Sequence, residues 1–195
     1  MDKFTRFAGP ILISAGLALL LFIYFPVLKQ EVNYQFKQTV KKDDIKKEFE
    51  PVDKDFGLVI NKIDVNAKVF KNVDSNNPDE YLPLLTKGVA HAKGSVLPNE
   101  KGNVFIFAHS TDTSFNASRY NAVFYLLNKL EKDDQIVVYY NKEKYLYKVA
   151  TSKVLSPDKL NDYLKTLEGN NLVLQTCTPP GTTLSRLLLI AKEMD

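Results

Sequence analysis

The 195-residue chain has no tryptophan, a single cysteine and two histidines. One cysteine cannot close an intramolecular disulfide, so the fold must rest on its core. The same scarcity argues against a metal centre: Cys177, His91 and His109 show no ligand spacing, and no metal is expected. There is no Gly-rich phosphate loop and no G-x-S-x-G elbow, and no cofactor is expected. Neither sign of charge dominates. The chain has 26 basic and 23 acidic residues, net +3, and no clustered Arg-rich stripe, so nucleic acid is not an expected partner. No internal repeat is visible.

What is present is apolar bulk. The sequence is 45% hydrophobic and 11% aromatic, enough to fill the core of one ordinary domain. Its longest apolar stretch comes first. From Phe7 to Leu28 no residue is charged, and about 20 apolar residues suffice to cross a bilayer as a helix. A cleaved signal peptide is the competing reading, but its apolar region would be shorter and end in a small-x-small site. This stretch runs into Phe25-Pro26-Val27-Leu28-Lys29 instead. Residues 1–28 are therefore expected to be a tail and transmembrane anchor, with Pro26 kinking or ending the helix. Lysines flank both ends of the run, so charge bias does not fix its orientation.

Residues 29–55 are expected to be a stalk. Between Lys41 and Asp55, eleven of fifteen positions are charged, with both signs mixed. A solvated linker or polar helix explains this run, and a lid over a site is the sharper alternative. From residue 56 to 195 the texture becomes β-rich. Gly57 to Ile63, Val65 to Phe70, Asn103 to His109, Gln135 to Tyr140, Lys144 to Leu155, Asn171 to Cys177 and Arg186 to Lys192 read as strands. Asn141, Lys142 and Glu143 sit at a hairpin turn. Gly88 to Gly102 reads as a long loop. Pro78 to Leu85 reads as a helical turn, and Asn116 to Leu130 has helical apolar spacing. Ser156-Pro157-Asp158 opens a further short helix, with Ser as N-cap. The expected fold class is mainly β, a barrel or sandwich with inserted helices.

Three residues stand where chemistry could sit. Cys177 ends an apolar strand and precedes a Pro-Pro-Gly loop. Taken alone it is either a small buried hydrophobe or a thiol kept for its reactivity. His109 closes the apolar run Val104 to Ala108, at a similar rim. Arg186 follows Cys177 by nine residues and opens Arg-Leu-Leu-Leu-Ile-Ala. It is either a snorkelling surface group or, if the loop turns the chain back, a neighbour of Cys177. A cysteine nucleophile needs an acid/base and a donor for the oxyanion, and these residues could supply both. His91, in Val89-Ala90-His91-Ala92, is expected to be a loop hydrogen-bonder or a substrate wall.

Leu174-Gln175-Thr176-Cys177-Thr178-Pro179-Pro180-Gly181, followed by Arg186-Leu187-Leu188, resembles the signature of sortases, Thr-Leu-x-Thr-Cys with a later Arg. Gly88-Val89-Ala90-His91, Gly94-Ser95, Gly102-Asn103-Val104 and Ala108-His109-Ser110 are similar to the segment that delivers the family's His. The likeness covers about residues 56 to 193, in the family's order of His, Cys, Arg. Val173 replaces the signature's first Thr, and Ala108 replaces the Gly that commonly precedes the His. The nine-residue Cys-to-Arg spacing looks more like the pilus-type and related classes than the housekeeping class. The Asp-Pro-aromatic lid motif is absent.

The resemblance implies an eight-stranded sortase barrel, with His109, Cys177 and Arg186 catalytic and Thr176, Ser110 and His91 near the substrate. It implies a sorting signal of the Leu-Pro-x-Thr-Gly type, cleaved between Thr and Gly through a thioester. The acyl group would pass to an amine of a cell-wall precursor or a pilin Lys. It also implies a single-pass membrane protein, held through residues 7–28, with the catalytic domain outside the cell. The rivals are a cysteine peptidase that hydrolyses, a non-enzymatic tethered β domain and a degenerate scaffold.

Overall fold

A computed structural model of the chain describes residues 3–40, 49–110 and 122–194. Eight strands close into a barrel in the order β1-β2-β3-β4-β7-β8-β6-β5. They are β1 (Phe56–Ile60), β2 (Val65–Val73), β3 (Val89–Ala92), β4 (Asn103–Phe107), β5 (Gln135–Tyr140), β6 (Glu143–Leu155), β7 (Asn171–Thr178) and β8 (Ser185–Glu193). Closure leaves no open sheet edge to protect. The β2–β3 and β4–β7 pairs are parallel and the others antiparallel. Three α-helices accompany the barrel among the described residues: the long α1 (Lys3–Val40), which precedes it, and two short inserts, α2 (Pro78–Leu85) and α3 (Leu160–Lys165).

Turn chemistry sets the strand ends. The expected strand at 57–63 stops at Ile60, because Asn61–Ile63 form a 3-10 turn closed by Asp64 in the left-handed region, φ 55°. The β5–β6 hairpin turns on Asn141 and Lys142, both at positive φ (51° and 69°). That pair of conformations matches the right-handed twist of the flanking strands.

Two expected elements differ. The loop expected at 88–102 contains β3, all four of whose residues are buried. Covered on both faces, it lacks the alternation that marks a half-exposed strand. Part of the helix expected at 116–130 lies outside the described residues. From Ala122 onward the chain makes turns and a 3-10 helix, Leu127–Lys129. Phe124 and Leu127 are fully buried there, so the apolar spacing serves a plug of turns rather than an α-helix. Pro157 does start the expected short helix, but as a 3-10 turn leading into α3, and Ser156 makes no capping bond through its side chain.

The expected boundary at residue 28 falls inside α1, which passes Pro26 without ending. Described apolar side chains from Ile11 to Phe22 stand exposed. Part of the run, residues 7–8, 23–24 and 26–27, lies outside the described side chains. Among the described residues no helix is long and apolar enough to cross a membrane. The far half of α1 meets the barrel domain. Glu31 accepts a hydrogen bond from Lys129 Nζ at 3.1 Å, and Tyr34 packs against the core. Residues 49–55 lie against β1 and β2: the Val52 N–H donates to Asn66 Oδ1 at 2.9 Å, and Asn66 Nδ2 donates to the Glu50 carbonyl at 2.7 Å.

Gly88 marks a close backbone approach beside β2. A Cβ there would collide with the Lys68 carbonyl oxygen and sit 3.3 Å from the Phe70 ring. Gly88→Ala is expected to destabilise the protein by about 1–3 kcal/mol, the usual cost of overpacking. The midpoint of urea unfolding, at unchanged m-value, measures it.

Candidate active site

Parallel strands β4 and β7 carry the site. Their register runs Asn103↔Asn171, Phe105↔Val173 and Phe107↔Gln175. An amide network fixes its start: Asn171 Nδ2 donates to Asn103 Oδ1 at 2.7 Å and to the Glu168 carbonyl at 3.0 Å, and Asn103 Nδ2 donates to the Leu167 carbonyl at 3.0 Å. At the other end the ladder continues, with the Ala108 N–H donating to the Gln175 carbonyl at 3.1 Å. His109 and Cys177 each lie two residues past the last pair of that register, at the same end of the two strands. On the other flank, the antiparallel β7–β8 register pairs Cys177 directly with Arg186.

The three expected residues thus form one row across neighbouring strands on one face. Strand spacing puts adjacent backbones about 5 Å apart, so their side chains share a small space. That space is a cavity of about 210 Å³. His109, Cys177 and Arg186 line it, all three only partly buried. Cys177 is a free thiol. The guanidinium of Arg186 donates through Nη1 to the carbonyls of Thr183, at 3.1 Å, and Ser185, at 3.4 Å. Those bonds hold it against the β7–β8 loop and leave other donors of its five for a guest.

Residues that sequence reading did not single out complete the cavity. Tyr81 and Leu85 come from α2, Phe107 from β4 and Gln175 from β7, with Ser75 and Gly181 to Thr183 at the mouth. Phe107 and Gln175 stand two residues before His109 and Cys177, so strand periodicity was a usable signal for them. The α2 wall had none, because only folding carries that helix over Phe107. None of residues 49–55 lines the cavity, so the described part of the expected lid segment lies elsewhere. A larger hollow, about 560 Å³, lies beside Asn33, Asn66, Lys68 and Lys87. It contains no thiol or imidazole, so the chemistry belongs to the smaller cavity.

The residues expected near the substrate are placed differently. Thr176 points to the opposite face from Cys177 and is 2% exposed. Its hydroxyl donates to the Ala108 carbonyl at 2.9 Å, tying β7 to the residue before His109. It positions the imidazole's backbone and does not face the cavity. Ser110 is likewise buried and off the cavity wall. His91 is on β3, 2% exposed, with its ring 5.6 Å from that of Phe56. It lines no part of the cavity either. Its Nδ1 accepts the Asn72 N–H at 3.2 Å, so that nitrogen carries no proton. Its Nε2–H faces the Val96 carbonyl at 3.0 Å and Ser95 Oγ at 2.8 Å. Ser95 Oγ donates in turn to the Ala92 carbonyl at 2.9 Å and accepts the Phe105 N–H at 3.3 Å. His91 therefore cross-links β2, β3 and the approach to β4. Burial pushes its pKa below the ordinary 6.5. Among the described residues no group of acids, thiols or imidazoles could hold a metal.

This buried imidazole makes stability depend on pH. Below about pH 6.5 the unfolded chain takes up a proton that folded His91 resists, so stability falls as pH drops. His91→Gln should cost about 1–3 kcal/mol at neutral pH, from the bonds left unmade. It should also flatten the decline in thermal midpoint between pH 7.5 and 5.5 relative to the parent.

Comparison with known proteins places this geometry. A family model described as the Sortase domain matches residues 58–194. Sortase D of Bacillus subtilis (strain 168) is 26% identical over 140 residues, which are 70% of this chain. The chain spans 62% of that relative's length. Among solved structures, sortase C-1 from Actinomyces oris is 26% identical with TM-score 0.58, covering 87% of this chain and 85% of that one. The pilus-related sortase C of Group B Streptococcus is 23% identical with TM-score 0.59, covering 87% and 90%, and supports the fold alone.

Proposed function

The chain belongs to the sortase family, and from that premise we propose that it is a membrane-anchored cysteine transpeptidase acting on sorting signals. The observation that carries the proposal is that His109, just past β4, and the paired Cys177 and Arg186 of β7 and β8 line one cavity. The thiolate of Cys177 attacks the Thr carbonyl of a Leu-Pro-x-Thr-Gly-type peptide. Negative charge develops on the carbonyl oxygen, and Arg186, held at the same level, donates to it. The C–N bond breaks, and protonated His109 gives its proton to the departing Gly amine. A thioester remains on Cys177. An amine acceptor, from a cell-wall precursor or a pilin Lys, then attacks that thioester while His109 takes its proton. The new amide forms and the thiolate leaves. A thioester keeps the acyl group reactive, and a positioned amine outcompetes water.

Anchoring rests on the uncharged run 7–28 and on the exposed apolar side chains of α1. The chemistry puts the catalytic domain on the outer side of the cell membrane, where secreted substrates and wall precursors meet.

Cys177→Ala and His109→Ala should each abolish transpeptidation without unfolding the barrel. Arg186→Ala should lower kcat/KM about 10²-fold or more, the scale of one oxyanion donor. A sorting peptide supplied with and without an amine acceptor distinguishes transfer from hydrolysis, because only transfer yields the longer product. Full activity in Cys177→Ala would end the proposal, and a thiol inert to mild alkylation would favour a non-enzymatic domain.

A further inference from the structure

The cavity continues one strand repeat below the reacting row, and that part has no task in the chemistry above. Gln175 precedes Cys177 by two residues, so its side chain lies on the same face of β7 and enters the cavity beside the nucleophile. Its neighbours in the sheet are Phe107 on β4 and Leu188 on β8. Tyr81 of α2 stands edge-on to Phe107, ring centroids 6.0 Å apart. A floor of this kind would be packed most simply by an aliphatic side chain. It holds a carboxamide, with two donor hydrogens and an acceptor oxygen. Among the described residues the Gln175 carboxamide makes no side-chain hydrogen bond, although it is half-buried. The amides of Asn103 and Asn171, by contrast, are bonded at 2.7 and 3.0 Å. Leaving such a group unpaired beneath a bound guest is costly, so the guest should bring the partner.

We propose that Gln175 is a donor-binding residue. Its carboxamide N–H donates to the main-chain carbonyl of the residue two positions before the Thr whose carbonyl Cys177 attacks. The inference rests on the transpeptidase reading above and names a contact within it. Two residues of β7 separate Gln175 from Cys177, about 6.6–6.8 Å, and an extended peptide laid over the same floor covers that distance in two residues. The acyl side is assigned because that part stays bonded to Cys177 after the first amine leaves. It must be held by groups fixed on the barrel body, whereas both amines pass the open rim near Gly181 to Thr183. In a Leu-Pro-x-Thr-Gly peptide the residue so placed is proline. Proline offers a carbonyl and no N–H, which is what a donor in the floor can satisfy.

The test is acylation of Cys177 by a Leu-Pro-x-Thr-Gly peptide, followed by mass spectrometry of the adduct in the parent, Gln175→Leu and Gln175→Glu. The alkylation rate with iodoacetamide is measured alongside. Both variants should lose about tenfold or more in kcat/KM, chiefly through KM, the effect of one lost hydrogen bond on binding. Alkylation should stay within about twofold, since the thiol's surroundings are otherwise kept. Unchanged kcat/KM in both variants would overturn the proposal, and so would acylation and alkylation falling together. A parent protein that forms no adduct would instead overturn the transpeptidase reading itself, before Gln175 is tested.

Discussion

The parallel pairing of β4 with β7 is the constraint on which the rest depends. Parallel strands need a long connection, and here β5, β6 and α3 all lie between the two partners in sequence. The payoff is geometric. Two strands that start together at Asn103 and Asn171 and advance in step bring His109 and Cys177 to one cavity at the far end. A slip of one residue would send one of them to the opposite face. The amide network at the start and the Thr176 bond to the Ala108 carbonyl near the end hold the register from both sides.

The β7–β8 hairpin then adds the cation. Because Cys177 and Arg186 are direct partners, the nine-residue spacing in sequence is the consequence of a pairing and a short loop. The carbonyls of Thr183 and Ser185 take two of the guanidinium's hydrogen bonds. Arg186 is therefore held against the β7–β8 loop. The cavity so formed is layered. One layer carries His109, Cys177 and Arg186, and the layer beneath carries Phe107, Gln175 and Tyr81.

The polar groups away from this row serve the scaffold. His91 is neutral, buried and committed to the backbone around β3, the strand that was hardest to see in the sequence. Its Gly88 neighbour admits β3 against β2 at a distance no side chain would permit. At the N-terminal side, α1 reaches the barrel domain through Glu31 and Tyr34, so the helix and the barrel meet at defined contacts.

Much of this was legible beforehand. Runs of Val, Ile and Leu marked seven strands, and the ends of two of them carried His109 and Cys177. The order of His, Cys and Arg pointed to the chemistry. The remaining strand, β3 within 88–102, was not legible, because burial on both faces erases alternation and Gly-rich flanks look like loop. The roles of Thr176 and His91 were not legible either, since a side chain's facing depends on register. Sequence alone determined which residues could react, because reactivity belongs to side-chain chemistry. Only the tertiary structure decided which of them meet, because convergence depends on pairing between strands that lie far apart along the chain.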